Sequence, residues 1–163
     1  MSVRMPNDLY SPDQLSAIIL ELRSYLAQLH DGAVRAKTAH TPMEAPATHL
    51  SALLMGVMHG TGITTTDSAE AEKLLKGLEA IRDKAPAVHL MMAALPNRTL
   101  KRQLTAWFRA EVHPYTLMTF AVRMDIGGGV VMQAGSHIYD FSFRQQILGN
   151  KQRISEIFAG VRQ

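Results

Sequence analysis

The chain has 163 residues, of which 47% are hydrophobic, and its formal charge is +3 at pH 7. This length and composition suffice to bury a core, which excludes wholesale disorder and favours one domain, or a helical module followed by a small mixed one. The absence of cysteine excludes disulfides, thiolate zinc sites and cysteine nucleophiles. The mild basic excess lacks the runs of Lys and Arg that mark nucleic-acid-binding chains, and we expect neither a secretory signal nor a membrane span, because the apolar runs are too short.

The first predicted helix begins at a capping box. Ser11 and Gln14 can each satisfy an orphan amide at a helix start, and Pro12 suits the first helical position. Apolar residues then follow at helical spacing: Leu15, Ile18, Ile19, Leu22, Tyr25, Leu26 and Leu29. Gly32 predicts the end of this helix, and the aperiodic residues 33–47 predict a connector.

Two further helices are predicted before residue 85. A short helix is expected to open at Thr48 and to end at Gly60 and Gly62. Asp67 with Glu70 resembles another capping box, and the helix it opens carries a leucine-rich apolar side.

The second half of the chain alternates strand and helix signals. Strands are predicted at 88–95, 115–124 and 129–134, with a return strand at 138–139. A helix is predicted from Pro96-Asn97 to Val112. A final helix is capped by Ser142 with Gln145 and carries Phe143, Ile147 and Leu148. Helices come first, and strand, helix, strand, strand and helix follow. This order predicts an α+β fold with a helical region at 1–84 and a mixed region at 85–163, which we expect to fold as one unit.

The helix before Val112 has two distinct sides. One carries Leu100, Leu104, Trp107 and Phe108, and the other carries Arg98, Arg102 and Arg109 with Lys101 nearby. We expect the apolar side to cover the sheet. The basic side is typical of a solvated face, and binding of nucleic acid or of an acidic partner helix is the alternative.

No residue pattern predicts catalysis, a metal or a cofactor. The glycines at 127–129 precede a strand, whereas a phosphate-binding loop precedes a helix, so a bulge or tight turn is the better interpretation. None of the seven histidines forms a helical zinc pair, and His89 is expected to be a hydrogen-bonded core residue. Ser136, His137 and Asp140 are the residue types of a catalytic triad, but all three lie in one hairpin. The members of a triad normally come from separate elements that converge in the fold.

The stretch from Asp125 to Ile147 carries a specific motif, in which an apolar residue and two glycines lead into a strand, a glycine reverses it, and Asp-x-Ser ends a second short strand. The motif positions are Ile126, Gly127, Gly128, Gly135, Asp140 and Ser142. This motif resembles the C-terminal signature of the delta subunit of F-type ATP synthase, the oligomycin-sensitivity-conferring protein of mitochondria. The resemblance covers roughly residues 85–158. Independently of it, Asp140 and Ser142 are good acceptors for the free amides of the following helix.

The resemblance implies a non-catalytic stator subunit without metal or cofactor. Its partners would be the C-terminal helices of the stalk b subunits and the N-terminal helix of an alpha subunit, although the helical region here is shorter than that of the family. The protein would act at the cytoplasmic face of the inner (plasma) membrane, reaching the membrane only through the complex. The alternatives are a basic adaptor or RNA-binding domain unrelated to ATP synthase and, with less support, a small hydrolase that uses His137.

Overall fold

The computed structural model describes residues 3–39, 49–63 and 68–145. Four α-helices lie wholly in this part of the chain: α1 (Pro12–Ala39), α2 (Ala52–Thr61), α3 (Ser68–Lys84) and α4 (Arg98–Glu111). Residues 143–145 are helical as well. Four strands lie in the same part of the chain: β1 (Ala87–Met92), β2 (Leu117–Val122), β3 (Gly129–Ala134) and β4 (His137–Ser142). A short 3-10 helix at Met124–Ile126 joins β2 to β3. The α+β class predicted from the sequence is confirmed.

The four strands form one mixed sheet in the order β2-β1-β3-β4. β1 and β2 run parallel because α4 returns the chain across the sheet, whereas β3 is antiparallel to both β1 and β4. β2 and β4 are therefore the two edges. β3 has the predicted bounds, β1 and β2 are shorter than predicted, and β4 is longer.

α1 begins as predicted and ends later than predicted. The Gln14 amide donates to Ser11 Oγ and the Ser11 amide donates to Gln14 Oε1, both at 3.1 Å, which is the reciprocal capping box. The helix runs through Gly32 to Ala39, so the predicted stop and the first part of the connector are wrong. A Cβ at Gly32 would meet nothing within 4 Å, so no packing contact forces the chain to turn there. A lone glycine costs a helix about 1 kcal/mol, which cannot end a helix by itself.

α2 is capped at Ser51, whose side chain accepts the amide of Leu54, and it ends at Gly62 in the left-handed conformation. The start predicted at Thr48 is wrong, and Gly60 lies inside the helix. For α3, the predicted Asp67 cap falls outside the described residues, as does the predicted final helix beyond Gln145.

Residues 3–11 form an irregular segment with a turn at Asn7 and Asp8, here named the strap, and it crosses α2 and α3 where these helices carry glycine. A Cβ at Gly77 would lie 2.9 Å from Val3, and a Cβ at Gly60 would lie 3.6 Å from the Arg4 carbonyl oxygen. Glycine inside a helix is unfavourable, but here it lets the strap approach the helix axis closely. Val3 is buried at this approach, and Leu9 further along the strap is buried as well.

Two hydrophobic clusters make up the core. The first lies among α1, α2, α3 and the strap, and Leu117 at the start of β2 belongs to it. The second lies between α4 and the sheet around Val88, Leu90, Phe108 and Met118. Because Leu117 belongs to the helical cluster and its neighbour Met118 to the sheet cluster, the helical region and the sheet are packed against one another.

Candidate functional site

The two flanks of α4 meet different surroundings. Asp8 in the strap lies 3.1 Å from Nε of Arg98 and 3.6 Å from Nε of Arg102. The same strap reaches the β2 edge, where the Met118 amide donates to the Tyr10 carbonyl. The basic side of α4 therefore faces the strap and the β2 edge. The prediction of a solvated basic face is confirmed for Arg98 and Arg102, whose side chains are 79% and 56% exposed beside Asp8. It is wrong for Arg109, which is bonded to carbonyls of the strap, some hundred residues earlier in the chain.

Arg109 is the most enclosed of these basic residues. Its guanidinium donates to the backbone carbonyls of Met5, Pro6 and Leu9, so it fastens the strap to α4. The Nε atom is buried and has no hydrogen-bond partner. Burial lowers the pKa of Arg109 to about 10, so the group remains charged at neutral pH.

The opposite flank of α4 faces the β3 and β4 half of the sheet. Phe108 is buried on the sheet and Leu104 packs beside it, as predicted for the apolar side. Trp107 and Leu100 lie on the flank away from the strap and are 56% and 40% exposed, so they do not cover the sheet as predicted. Because strands are about 4.8 Å apart and a helix is about 10 Å across, one helix covers about two strands.

The uncovered half of this sheet face is apolar. It is here named the open face and consists of the exposed residues Leu100, Trp107, Tyr139 and Phe141 with the half-buried Val130 and Met132 of β3 beside them. Register places its strand residues on the face that α4 packs against, since Met132 pairs with Tyr139 and Val130 with Phe141. Tyr139 and Phe141 are 45% and 56% exposed, whereas Leu90 of β1, under α4, is buried. Contiguous exposed apolar patches of this kind mark interaction sites.

The aromatic side chains of the open face contact neighbouring rings. Trp107 packs edge to face on Phe108 with ring centroids 4.9 Å apart. His137, Tyr139 and Phe141 form a stacked ladder along one side of β4, with successive centroids 6.4 and 6.5 Å apart. Rigid aromatic side chains lose little entropy on binding, which suits them as anchors for a partner.

The glycine run before β3 is a backbone requirement. Gly127, Gly128 and Gly129 all have positive φ. A Cβ at Gly128 would lie 2.6 Å from the Phe143 ring, and a Cβ at Gly129 would lie 2.5 Å from the Phe141 carbonyl oxygen. Only glycine fits this close approach between the start of β3 and the end of β4 without displacement. The interpretation as a tight turn accounts for all three positions.

The remaining motif residues shape the β3–β4 hairpin and its exit. Gly135 has φ of +59° in the reversing turn. The Ser142 amide donates to Asp140 Oδ1 at 2.8 Å, and the Gln145 amide lies 3.4 Å from Ser142 Oγ, a long capping contact at the start of the next helical turn. The hydrogen bonds from Ser142 lower the pKa of Asp140 below its usual value. These are helix-start and turn geometries, as the residue types predict.

The triad residue types do not converge. His137 and Asp140 lie on opposite faces of β4, because successive strand residues alternate in direction. His89 bonds the hydroxyl of Thr119 on the neighbouring strand, but it is exposed, so its predicted place in the core is wrong. Among residues 3–39, 49–63 and 68–145, no group of three or more His, Asp and Glu side chains could hold a metal ion. No helix within the same ranges is long and apolar enough to cross a bilayer.

Sequence reasoning missed the open face and the strap. The exposure of Trp107 depends on which strands α4 covers, and no local pattern reports that. The glycines of α2 and α3 were the available signal for the strap, because glycine inside an apolar helical pattern indicates a close approach by another segment.

The chain matches no protein-family model, and the comparison with curated proteins gives no match.

Proposed function

We propose that this protein is a stator subunit of an F-type ATP synthase, resembling the delta subunit, which links the catalytic head to the peripheral stalk by protein binding alone. In proton-driven ATP synthesis such a link holds the head still, so that rotor torque changes its conformation instead of spinning it. The protein would work at the cytoplasmic face of the membrane as part of the complex.

The observation that carries the proposal is the open face. It is an apolar surface about two strands wide beside α4, bordered by Trp107 of α4 on one side and by the aromatic ladder of β4 on the other. Binding of an amphipathic helix to an apolar surface is a common recognition mode, and the stalk b subunits end in helices of this kind in the family that the motif resembles. The hairpin that carries the motif also supplies Tyr139 and Phe141.

The RNA-binding alternative rests on the basic side of α4. Arg109 binds strap carbonyls there, and Asp8 pairs with Arg98 and Arg102. The Arg98 and Arg102 side chains remain 79% and 56% exposed, so the salt dependence of binding is what separates the two functions.

Trp107 provides a direct test, because it is the only tryptophan and it lies on the open face. A peptide from the C-terminal end of the cognate b subunit should shift the Trp107 emission to shorter wavelength and show saturable binding by isothermal titration. Affinity should persist at high salt, since apolar contacts are weakly screened, whereas phosphate contacts are lost steeply.

Matched variants locate the binding surface. Phe141→Ser should weaken peptide binding by about tenfold or more, as loss of a central aromatic anchor does. Leu20→Ser removes a 64%-exposed apolar residue of α1 and should leave affinity unchanged. Equal effects of the two changes, or tight salt-sensitive binding to single-stranded RNA without peptide binding, would refute the proposal.

A further inference from the structure

A second candidate site lies between the strap, the end of α2 and the residues at and after the end of α4. It is a cavity of about 540 Å³, and its polar lining includes Arg4, Asn7, Thr61, Arg109 and Tyr115. Volumes of this size are ordinary for small-ligand sites. None of the residues that line the cavity is acidic.

Two cations at this cavity lack a counter-ion. Within the described residues, neither Arg4 nor Arg109 forms an ion pair, in contrast to Arg98 and Arg102 on the same helix as Arg109. The guanidinium of Arg109 contacts only neutral backbone carbonyls, and its Nε–H remains unpartnered. Burying a charge without an opposite charge is costly, so a nearby anion would stabilise this arrangement.

Two further polar side chains at the cavity, those of Asn7 and Tyr115, carry hydrogen-bond donors as well as acceptors. Thr61 cannot donate into the cavity while its hydroxyl donates to the Val57 carbonyl at 2.6 Å. The end of α2 also lines the cavity, but the amides of Gly62 and Ile63 already bond two of its last carbonyls, which reduces the negative potential there.

We propose that this cavity binds a small oxyanion, a phosphate or carboxylate group, held by Arg4 and the donors beside it, with Arg109 supplying the fixed positive charge behind it. This site is independent of the open face and of the function proposed above. A bound oxyanion would also stabilise the strap, because Arg4 and Asn7 belong to the strap while Arg109 and Tyr115 do not.

The test uses the full chain labelled with 15N and titrated with sodium phosphate or sodium succinate, with sodium chloride holding ionic strength constant. We expect saturable shifts of the Arg109 Nε–H signal and of the amides of Asn7 and Thr61. Shifts with both anions indicate a general oxyanion site, and shifts with one alone identify the preferred group.

Arg4→Gln should weaken the anion affinity by about tenfold, the effect of losing one charge-assisted hydrogen bond, without loss of the folded spectrum. Arg35→Gln on α1 is the matched control, since it removes the same charge from an exposed position outside the cavity lining. Absence of saturable shifts at constant ionic strength, or an equal loss of affinity in the Arg35 variant, would overturn the proposal.

Discussion

Two glycines of the β3–β4 region allow backbone strain to be separated from steric conflict. Gly129 and Gly135 both have positive φ, at +80° and +59°. A Cβ at Gly129 would lie 2.5 Å from the Phe141 carbonyl oxygen, whereas a Cβ at Gly135 would meet nothing within 4 Å. Alanine at either position therefore incurs the strain of a left-handed backbone, and only at position 129 does it also collide with the paired strand.

The structure sets the expected magnitudes. Left-handed backbone costs a residue with a Cβ about 1–2 kcal/mol, so Gly135→Ala should lower the free energy of unfolding by that amount. Overpacking adds about 1–3 kcal/mol, so Gly129→Ala should cost about 2–5 kcal/mol, because a backbone atom cannot rotate away as a side chain can. Urea unfolding followed by far-UV circular dichroism would measure both, with equal m values as the check on two-state behaviour. If Gly129→Ala is no more destabilising than Gly135→Ala, the close approach of β3 to β4 is wrong.

Three further outcomes are expected. Arg109→Met should lower stability by about 1–3 kcal/mol and make residues 3–11 more sensitive to limited proteolysis, because the strap carbonyls lose their hydrogen-bond donor. Arg102→Met should have a smaller effect on both, and equal protease resistance of the two variants would contradict this role of Arg109. Asp140→Asn should lower the free energy of unfolding at neutral pH, because the carboxylate stabilises the fold only while it is ionised. The difference from the unchanged protein should vanish as the pH falls below 3.8 and through the lowered pKa of Asp140 in the folded state. A difference in urea titrations that stays constant with pH would exclude this cause. Residues 85–163 alone should unfold cooperatively in calorimetry but at a lower temperature than the full chain, because Leu117 loses its contacts with the helical cluster. An unchanged transition temperature would show that this shared packing contributes nothing to the stability of the mixed region.

Local sequence determined the features that depend on neighbouring residues. The capping box of α1, the cap at Ser142 and the glycine turn at Gly135 were all predictable, because each depends on contacts spanning a few residues. The α+β class follows from the order of these local signals. The motif that resembles the delta subunit is also a local feature of the sequence, because its glycines are required by turns and its Asp-x-Ser by a helix start.

Only the tertiary structure decided what each surface meets. Helical periodicity separates the arginines of α4 from its apolar residues, but it cannot show that Asp8 of the strap meets Arg98 and Arg102. Nor can it show that α4 covers β1 while leaving Tyr139 and Phe141 of β4 open. The open face and the cavity beside Arg109 are both products of contacts between segments distant in sequence, and such contacts are set by the packing of the whole chain.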